Sequence, residues 1–180
     1  MHSMAIQCLM MVVMATIGSC DSRPTHARQQ ADQRTTTIYL VRHAEKENDG
    51  ADPDLSAQGQ ARAKALSTRL KDAGIQRIFA TNARRTQQTV APLAKWLKLK
   101  VQVVSADDID AMVSRISDCT GENILVAAHS NTIGPIIEGL GGDTIDPIDE
   151  SEFDNLYIVT ITPTGDVIIK HEHYGQPSGD

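Results

Sequence analysis

Short β-branched apolar segments alternate with segments of helical periodicity along this 180-residue chain, and this alternation restricts the possible folds more than any other feature. Residues 36–41 are β-branched and apolar without strict alternation. That pattern is typical of a strand covered on both faces of a parallel sheet. Three further strands of this kind are predicted over residues 75–80, 101–104 and 123–128.

The segments between these strands predict helices. Ser56 is a good N-cap for a first helix that ends at Gly74, and later helices are predicted over 85–97, interrupted early by Pro92, over 109–117 and over about 132–140. The last two runs, 156–161 and 167–171, flank Pro163-Thr164-Gly165 as the strands of a hairpin do. The chain therefore predicts an α/β three-layer sandwich with a mostly parallel central sheet, a fold that binds ligands at the carboxyl ends of its strands.

The N-terminus differs from this pattern. The first nineteen residues contain no Lys, Arg, Asp or Glu, and residues 4–17 are largely apolar. This run is too short to span a bilayer comfortably, and it ends in small residues, as a secretory signal does. The tetrapeptide Ile17-Gly18-Ser19-Cys20 resembles a bacterial lipobox, in which the cysteine thiol is acylated. We therefore expect residues 1–20 to be a signal peptide with a lipobox.

Residues 21–34 are polar, rich in Gln and Arg, and predict a flexible tether before a single domain over residues 35–175. In this interpretation the protein is exported and anchored at a membrane by acylated Cys20, facing the periplasm or the exterior. Plain secretion is one alternative, and a mis-assigned start codon upstream of a cytoplasmic protein is another.

The charge balance bears on possible partners. The net charge is −6 and the isoelectric point is about 5.4, so the chain lacks the basic field that draws proteins to nucleic acid. Against this acidic background, Arg42 with Lys46 and Arg84 with Arg85 form two short cationic runs. Such local positive charge is suited to a small anion.

The tripeptide Arg42-His43-Ala44 follows the first strand directly. Phosphoryl transfer needs a nucleophile in line with the leaving oxygen and fixed positive charge around the equatorial oxygens. A histidine beside an arginine at a strand end supplies both, and neutral imidazole is a competent nucleophile near pH 7. A lone histidine would more often be an ordinary half-buried residue, but two other elements accompany this one.

Arg84 and Arg85 lie between the second strand and its helix, where a cation opposes the helix dipole unless an anion binds. His129 lies at the end of the strand 123–128 and directly before a helix, whose N-terminus favours negative charge. Helix capping explains Ser130 and Thr132 but not His129. These elements together predict a phosphate pocket.

These motifs resemble those of the histidine phosphatase superfamily, also called phosphoglycerate mutase-like, from Thr36 to about Lys170. Arg42-His43-Ala44 matches the first signature, residues 81–89 match the second with Arg85 in the phosphate-binding place, and Ala128-His129-Ser130 matches the third. Thr81, Thr86 and Ala128 differ from the residues that are usual in the family at these positions, but none of these differences removes a charged group. Each match alone is weak, but the ordered set in its strand and helix context is strong.

The resemblance implies a phosphohistidine intermediate on His43 in a pocket completed by Arg42, Arg85 and His129, without a metal or other cofactor, and with Arg84 as a solvent-side neighbour. The candidate general acid for the leaving group is Asp108, and the alternative is that Asp107 and Asp108 cap the following helix. Some small members of the family that act on protein phosphohistidine lack such an acid.

The expected activity is hydrolysis of a phosphomonoester on a small substrate or a phosphoprotein, as in the small bacterial phosphatases of this family. The alternatives are a protein phosphohistidine phosphatase, then a mutase-type transferase, then a catalytically dead phosphate-binding module. A metal site at His171-Glu172-His173 would need a third ligand that nothing nearby in the sequence suggests. The acidic segment 143–154 lacks the spacing of a calcium loop and is expected to be a solvated loop at the pocket rim.

Overall fold

The structure, a computed structural model, describes residues 34–178. The predicted signal peptide and lipobox over residues 1–20, with Cys20, lie outside the described residues, and so does the predicted tether up to residue 33. Within the described range, no helix is long enough and apolar enough to cross a membrane.

Strands and helices alternate through most of the described range. The strands are β1 (Thr36–Arg42), β2 (Arg77–Thr81), β3 (Val101–Val104), β4 (Asn123–Ala128), β5 (Asn155–Ile161) and β6 (Val167–His173). The helices are α1 (Ala57–Leu70), α2 (Arg84–Leu97), α3 (Ile109–Ser117) and α4 (Ser130–Gly139).

The strands form a six-stranded sheet in the order β3-β2-β4-β1-β5-β6. The first four strands of that order pair in parallel, and β5 and β6 add an antiparallel hairpin beside β1. At the hairpin turn Gly165 has a φ of +91°, a conformation that other residues rarely adopt. The predicted α/β sandwich with a mostly parallel sheet is confirmed.

The helices cover both faces of the sheet. On one face α1 and α2 bury Leu66, Leu70 and Leu93 against alternate side chains of the parallel strands. On the other face α3 and α4 bury Met112 and Ile137 in the same way. Burial of these apolar surfaces is the main favourable contribution to folding, at about 25 cal/mol per Å².

Two helices depart from the sequence prediction. The second helix runs without interruption through Pro92, because Val90, Leu93 and Ala94 pack against the sheet on both sides of the missing hydrogen bond. The fourth helix begins at Ser130, not near Thr132. Thr132 Oγ1 accepts a hydrogen bond from the backbone N–H of His129 at 3.0 Å, so Thr132 lies one turn inside the helix.

The strand order positions the site. β4 lies between β1 and β2, so the carboxyl ends of three parallel strands are side by side. After β1 the chain enters α1 on one face, and after β4 it enters α4 on the other face. Such a reversal opens a crevice at the carboxyl edge of a sheet, the place where α/β folds bind ligands.

Candidate active site

His43 follows the last residue of β1 and is 5% exposed. Its backbone N–H donates to the carbonyl of Ala128 in β4 at 3.0 Å, which continues the pairing of the two strands beyond their ends. Its Nδ1 lies 2.8 Å from the carbonyl oxygen of Ala44. A carbonyl oxygen can only accept, so Nδ1 carries the hydrogen and Nε2 holds the free electron pair.

The residue after His43 is fixed by helix α2. The N–H of Ala44 donates to Thr89 Oγ1 at 2.9 Å, and this hydroxyl donates to the carbonyl of Arg85 at 2.7 Å. One threonine therefore links the segment that carries His43 to the first turn of the helix that carries Arg85.

The next residue, Glu45, is held by helix α1. Arg62 donates from Nε and Nη2 to the Glu45 carboxylate at 2.7–3.0 Å, and both side chains are buried. Helix α1 also approaches this segment so closely that a Cβ on Gly59 would lie 2.2 Å from the carbonyl oxygen of Glu45. Only glycine fits there. The chain beyond His43 is thus fixed by both helices of this face.

Arg42, the last residue of β1, is 1% exposed. Its Nη1 donates to the carbonyl oxygens of Asp149, Glu150 and Glu152 at 2.8–3.0 Å. Its Nη2 donates to the Glu150 carboxylate at 2.7 Å, and its guanidinium carbon lies 4.3 Å from the centre of the Phe153 ring. Arg42 therefore organises the loop between α4 and β5.

His129 lies at the end of β4, and its ring centre is 5.4 Å from that of His43. The hydroxyl hydrogen of Thr86 is donated to backbone carbonyls, so in the contact between the two threonines the hydroxyl of Thr81 is the donor. Since the hydrogen of Thr81 is used in this way, its Oγ1 accepts from His129 Nε2 at 2.9 Å. This chain places the hydrogen of neutral His129 on Nε2 and leaves Nδ1 free. Arg85 Nη2 lies 3.4 Å from that Nδ1.

The structure brings all four predicted residues, Arg42, His43, Arg85 and His129, to one cavity of about 200 Å³. Its remaining lining residues are Lys46, Gly50, Ala51, Pro53, Ser130, Asn131 and Glu150. A larger groove of about 910 Å³ between α1 and α2 is lined by none of the four. The chemistry is therefore concentrated in the smaller, polar cavity.

The two imidazoles of this cavity are neutral at physiological pH. Burial lowers the pKa of His43 to about 3, a shift that the hydrogen bond to Ala44 opposes and the charges of Arg42 and Arg85 reinforce. Burial and the same two arginines lower the pKa of His129 to about 4. His43 is thus a free nucleophile rather than an imidazolium ion.

In the described part of the chain, the guanidinium groups of Arg42 and Arg85 each have an N–H group without a hydrogen-bond partner. Among the described residues, three buried side-chain nitrogen or oxygen atoms lack a hydrogen-bond partner: Arg42 Nε, Arg85 Nε and the Tyr174 hydroxyl. An unpaired buried donor costs about 1–3 kcal/mol. Both arginines line one cavity, and this concentration of positive hydrogen-bond donors is suited to an anion with several acceptor oxygens.

Other predicted residues lie elsewhere. Asp108 is the N-cap of α3 and accepts from the N–H of Ala111 at 2.9 Å, and it is not among the residues that line the cavity. Arg84 points to solvent with its side chain 57% exposed, and it pairs with Asp54 at 2.7 Å. His171 stacks on Tyr157 and lies 2.7 Å from Asn155 Oδ1, so its contacts are those of the β5–β6 hairpin.

Sequence reasoning missed the contribution of the acidic loop. Glu150 lines the cavity and Phe153 lies against Arg42, although the segment 143–154 was expected only to be a solvated rim. No periodicity or motif in this segment indicates which carboxylate faces the site. The available signal was indirect, because a buried arginine at the end of β1 requires an acceptor from some other part of the chain.

Comparisons with known proteins agree with this geometry. Residues 38–110 match the family described as the histidine phosphatase superfamily (branch 1), a range that contains Arg42, His43 and Arg85. A protein of Schizosaccharomyces pombe, named as a probable phosphatase, is 30% identical over 97 residues. That alignment covers 50% of this chain and 45% of the relative, so the chain spans about half the length of the relative that it matches.

Solved structures show the same fold. The protein histidine phosphatase SixA in complex with tungstate superposes with a TM-score of 0.64 at 19% identity, covering 76% of this chain and 96% of that one. A phosphoglycerate mutase from Bacillus anthracis superposes with a TM-score of 0.63 at 18% identity, covering 79% and 95%. In its three motifs on one cavity, its sheet order and its match to the family model over residues 38–110, the chain is similar to the histidine phosphatase superfamily.

Proposed function

We propose that this protein is a phosphatase that hydrolyses a phosphomonoester through a phosphohistidine intermediate on His43, without a metal. One observation carries the proposal: a neutral imidazole with a free Nε2 shares a small cavity with two arginines, Arg42 and Arg85, each of which has a buried Nε without a hydrogen-bond partner among the described residues. The nucleophile and the anion-binding donors that phosphoryl transfer requires are therefore present together.

In the first step His43 Nε2 attacks phosphorus, and the bond to the leaving oxygen breaks. Arg42 and Arg85 donate to the equatorial oxygens, where negative charge is concentrated in the transition state. The phosphoryl charge raises the pKa of the nearby His129, which takes up a proton on Nδ1 and donates it as a hydrogen bond. In the second step water attacks phosphorus, and the electron pair of the N–P bond returns to Nε2.

A phosphoramidate on a protein histidine is the second candidate substrate. The observation that favours it is that Glu150, the only carboxylate lining the cavity in the described range, is ion-paired with Arg42 in the free protein and can give up a proton only after a substrate has displaced this pair. A leaving imidazole needs less acid assistance than an alkoxide. The solved structure named as a protein histidine phosphatase has the same fold and nearly the same domain size.

The test is hydrolysis of an aryl phosphate by the purified protein in EDTA. We expect turnover in the wild type, loss of at least about 10³-fold in His43→Ala, and an acid-labile phosphoryl label on His43. His173→Ala is the matched control, because this exposed histidine on β6 does not line the cavity and its loss should leave activity unchanged. Strict dependence on added metal, or full activity in His43→Ala, would contradict the proposal.

A panel of phosphorylated metabolites and phosphohistidine peptides then separates the two substrates. A preference of kcat/KM for phosphoesters supports the first proposal, and a preference for the peptides supports the second. The panel uses the wild type and His43→Ala side by side, so that contaminating phosphatase activity is subtracted.

We further propose that the protein is exported and anchored through acylated Cys20. The charge-free apolar run ending in Ile17-Gly18-Ser19-Cys20, with polar residues directly after it, supports this. Labelling with a fatty-acid probe and fractionation test it, with Cys20→Ala as the control. Label that persists in the variant, or wild type found only in the cytosol, contradicts anchoring and favours a cytoplasmic phosphoprotein substrate.

A further inference from the structure

Glu150 is the one carboxylate among the side chains that line the 200 Å³ cavity in the described part of the chain. Its Oε2 accepts from Arg42 Nη2 at 2.7 Å, and its Oε1 accepts from the hydroxyl of Ser130 at 2.7 Å. Both carboxylate oxygens are therefore oriented, one by the last residue of β1 and the other by the first residue of α4.

The backbone under Glu150 is also fixed. Arg42 Nη1 donates to three carbonyl oxygens of the same loop, including that of Glu150 itself. The Glu150 side chain is 79% exposed, although its anchor Arg42 is 1% exposed. A side chain with this exposure is usually mobile, but two hydrogen bonds and the fixed loop hold this carboxylate at the mouth of the cavity.

The mouth of the cavity is where the leaving group must lie. His43 is buried below it, and in-line transfer places the leaving oxygen opposite the attacking nitrogen. We propose that Glu150 is the general acid and base of the reaction: it protonates the leaving oxygen and then accepts a proton from the attacking water. This inference rests on the proposed phosphatase function and adds the proton-transfer residue that the sequence motifs do not identify.

The protons balance over the cycle. As the N–P bond forms on His43 Nε2 and the P–O bond breaks, the carboxyl proton of Glu150 moves to the leaving oxygen, and an alcohol departs. The ionised carboxylate then accepts a proton from water as the water oxygen bonds to phosphorus and the N–P bond breaks. Inorganic phosphate leaves, and Glu150 releases this proton to solvent as its ion pair with Arg42 forms again, until the next substrate binds.

The state of Glu150 in the free protein fits a group that gains its proton when substrate binds. In the free protein the hydrogen bond from Ser130 and the charge of Arg42 hold the pKa of the Glu150 carboxyl below its usual range, although partial burial opposes them. A bound phosphoryl group competes for Arg42 and adds negative charge, and both effects raise the pKa of the carboxyl. The titratable and charged groups that face the cavity with it are Arg42, His43, Lys46, Arg85 and His129.

Neighbouring acids lack this placement. Asp149 belongs to the same loop, but its carboxylate accepts from the N–H and hydroxyl of Ser151. Asp108 caps α3, and Asp146 lines an adjoining cleft of about 340 Å³ together with Glu150. Asp146 is therefore a good control, because it lies on the same acidic loop outside the cavity that holds His43.

The experiment measures kcat/KM of the full chain for aryl phosphates whose leaving phenols span a range of pKa. The variants are Glu150→Gln and, as the control, Asp146→Asn. Gln keeps the shape of the side chain and can still accept from Arg42, but it cannot donate a carboxyl proton. We expect Glu150→Gln to lose about 10²–10⁴-fold with the poorest leaving group and less than about tenfold with 4-nitrophenyl phosphate. Asp146→Asn should match the wild type throughout.

A second readout comes from pre-steady-state kinetics. With 4-nitrophenyl phosphate, Glu150→Gln should release a burst of about one nitrophenol per protein and then turn over slowly, because the water in the second step has lost its base. Equal losses of kcat/KM across all leaving groups, without a burst, would show that Glu150 only positions Arg42 and would overturn the assignment. A wild type that hydrolyses none of the esters would overturn the proposed function, and the role of Glu150 with it.

Discussion

Arg42 and Arg62 are both nearly fully buried, yet their surroundings differ. Arg62 gives its Nε and Nη2 to buried Glu45 and its Nη1 to the carbonyls of Tyr174 and Gln176. Arg42 retains an unpartnered buried Nε, and its carboxylate partner Glu150 is exposed at the cavity mouth. The difference separates a structural ion pair from a group of the candidate site: Arg62 is paired within the chain, whereas Arg42 lines the cavity and has one N–H group without a partner in the described range.

The strongest test of this comparison is Arg62→Ala. The substitution leaves the buried carboxylate of Glu45 without a counter-ion, and we expect the free energy of unfolding to fall by about 3–5 kcal/mol. Urea denaturation measures the change. The double variant Glu45→Leu/Arg62→Met should recover most of the stability, because apolar replacement of a buried pair is often close to neutral. A stability loss below about 1 kcal/mol would contradict the structural role.

The reciprocal test is Arg42→Ala. Loss of a donor to the transferring phosphoryl group should lower kcat/KM by about 10²–10³-fold or more, equivalent to about 2.7–4 kcal/mol of transition-state stabilisation. Steady-state assays on folded protein, with the fold checked by circular dichroism, measure it. The comparison fails if the still-folded fraction of Arg62→Ala loses as much kcat/KM as Arg42→Ala does.

A pH titration tests whether the cavity beside Arg42 is desolvated and positively charged, because burial and the cations Arg42 and Arg85 keep the cavity histidines neutral. We expect NMR signals of His43 and His129 to show neutral rings at pH 5, with midpoints near 3 and 4. Unfolded imidazoles gain protons below about pH 6.5, so these residues lower stability progressively as the pH falls from there towards 4. A midpoint near 6.5 for either ring would show that the cavity does not desolvate it.

The smallest effect is expected at Arg84. It neighbours Arg85 in sequence, but its side chain is 57% exposed and pairs with Asp54 at the surface. Exposed ion pairs contribute about 0–1 kcal/mol, so Arg84→Ala should change stability within that range and keep most of the activity. A large loss of kcat/KM in this variant would mean that Arg84 acts in the cavity together with Arg42 and Arg85.

Much of the fold follows from local patterns. The parallel strands are apolar and β-branched, and the helix over 109–117 and the strand over 123–128 coincide with α3 and β4. The chemistry at Arg42, His43, Arg85 and His129 was recognisable because each residue is adjacent to a strand end, and strand ends converge in a parallel sheet. Pro92 misled the prediction because packing of the helix against the sheet outweighs one missing hydrogen bond.

The contacts of Glu150 and Arg62 could not be predicted in this way. Glu150 meets Arg42 across 108 residues of sequence, from a loop without periodicity. Arg62 lies on a helix among other polar residues, and its burial against Glu45 depends on the close approach of this helix to the chain at Gly59. Both contacts depend on how elements dock, and that information is not local.

The insertion of β4 between β1 and β2 has a consequence for how the protein matures. His43 and Arg85 are synthesised first, but they are brought beside His129 only when a strand made some forty residues later enters the sheet between its two older neighbours. Parallel pairings of this kind form slowly, because the chain must close long loops before any contact compensates for the lost entropy. A ribosome-bound or truncated chain that stops before β4 therefore carries His43 but no complete cavity, and the proposed hydrolytic activity depends on the late pairing of β4 with its two neighbours.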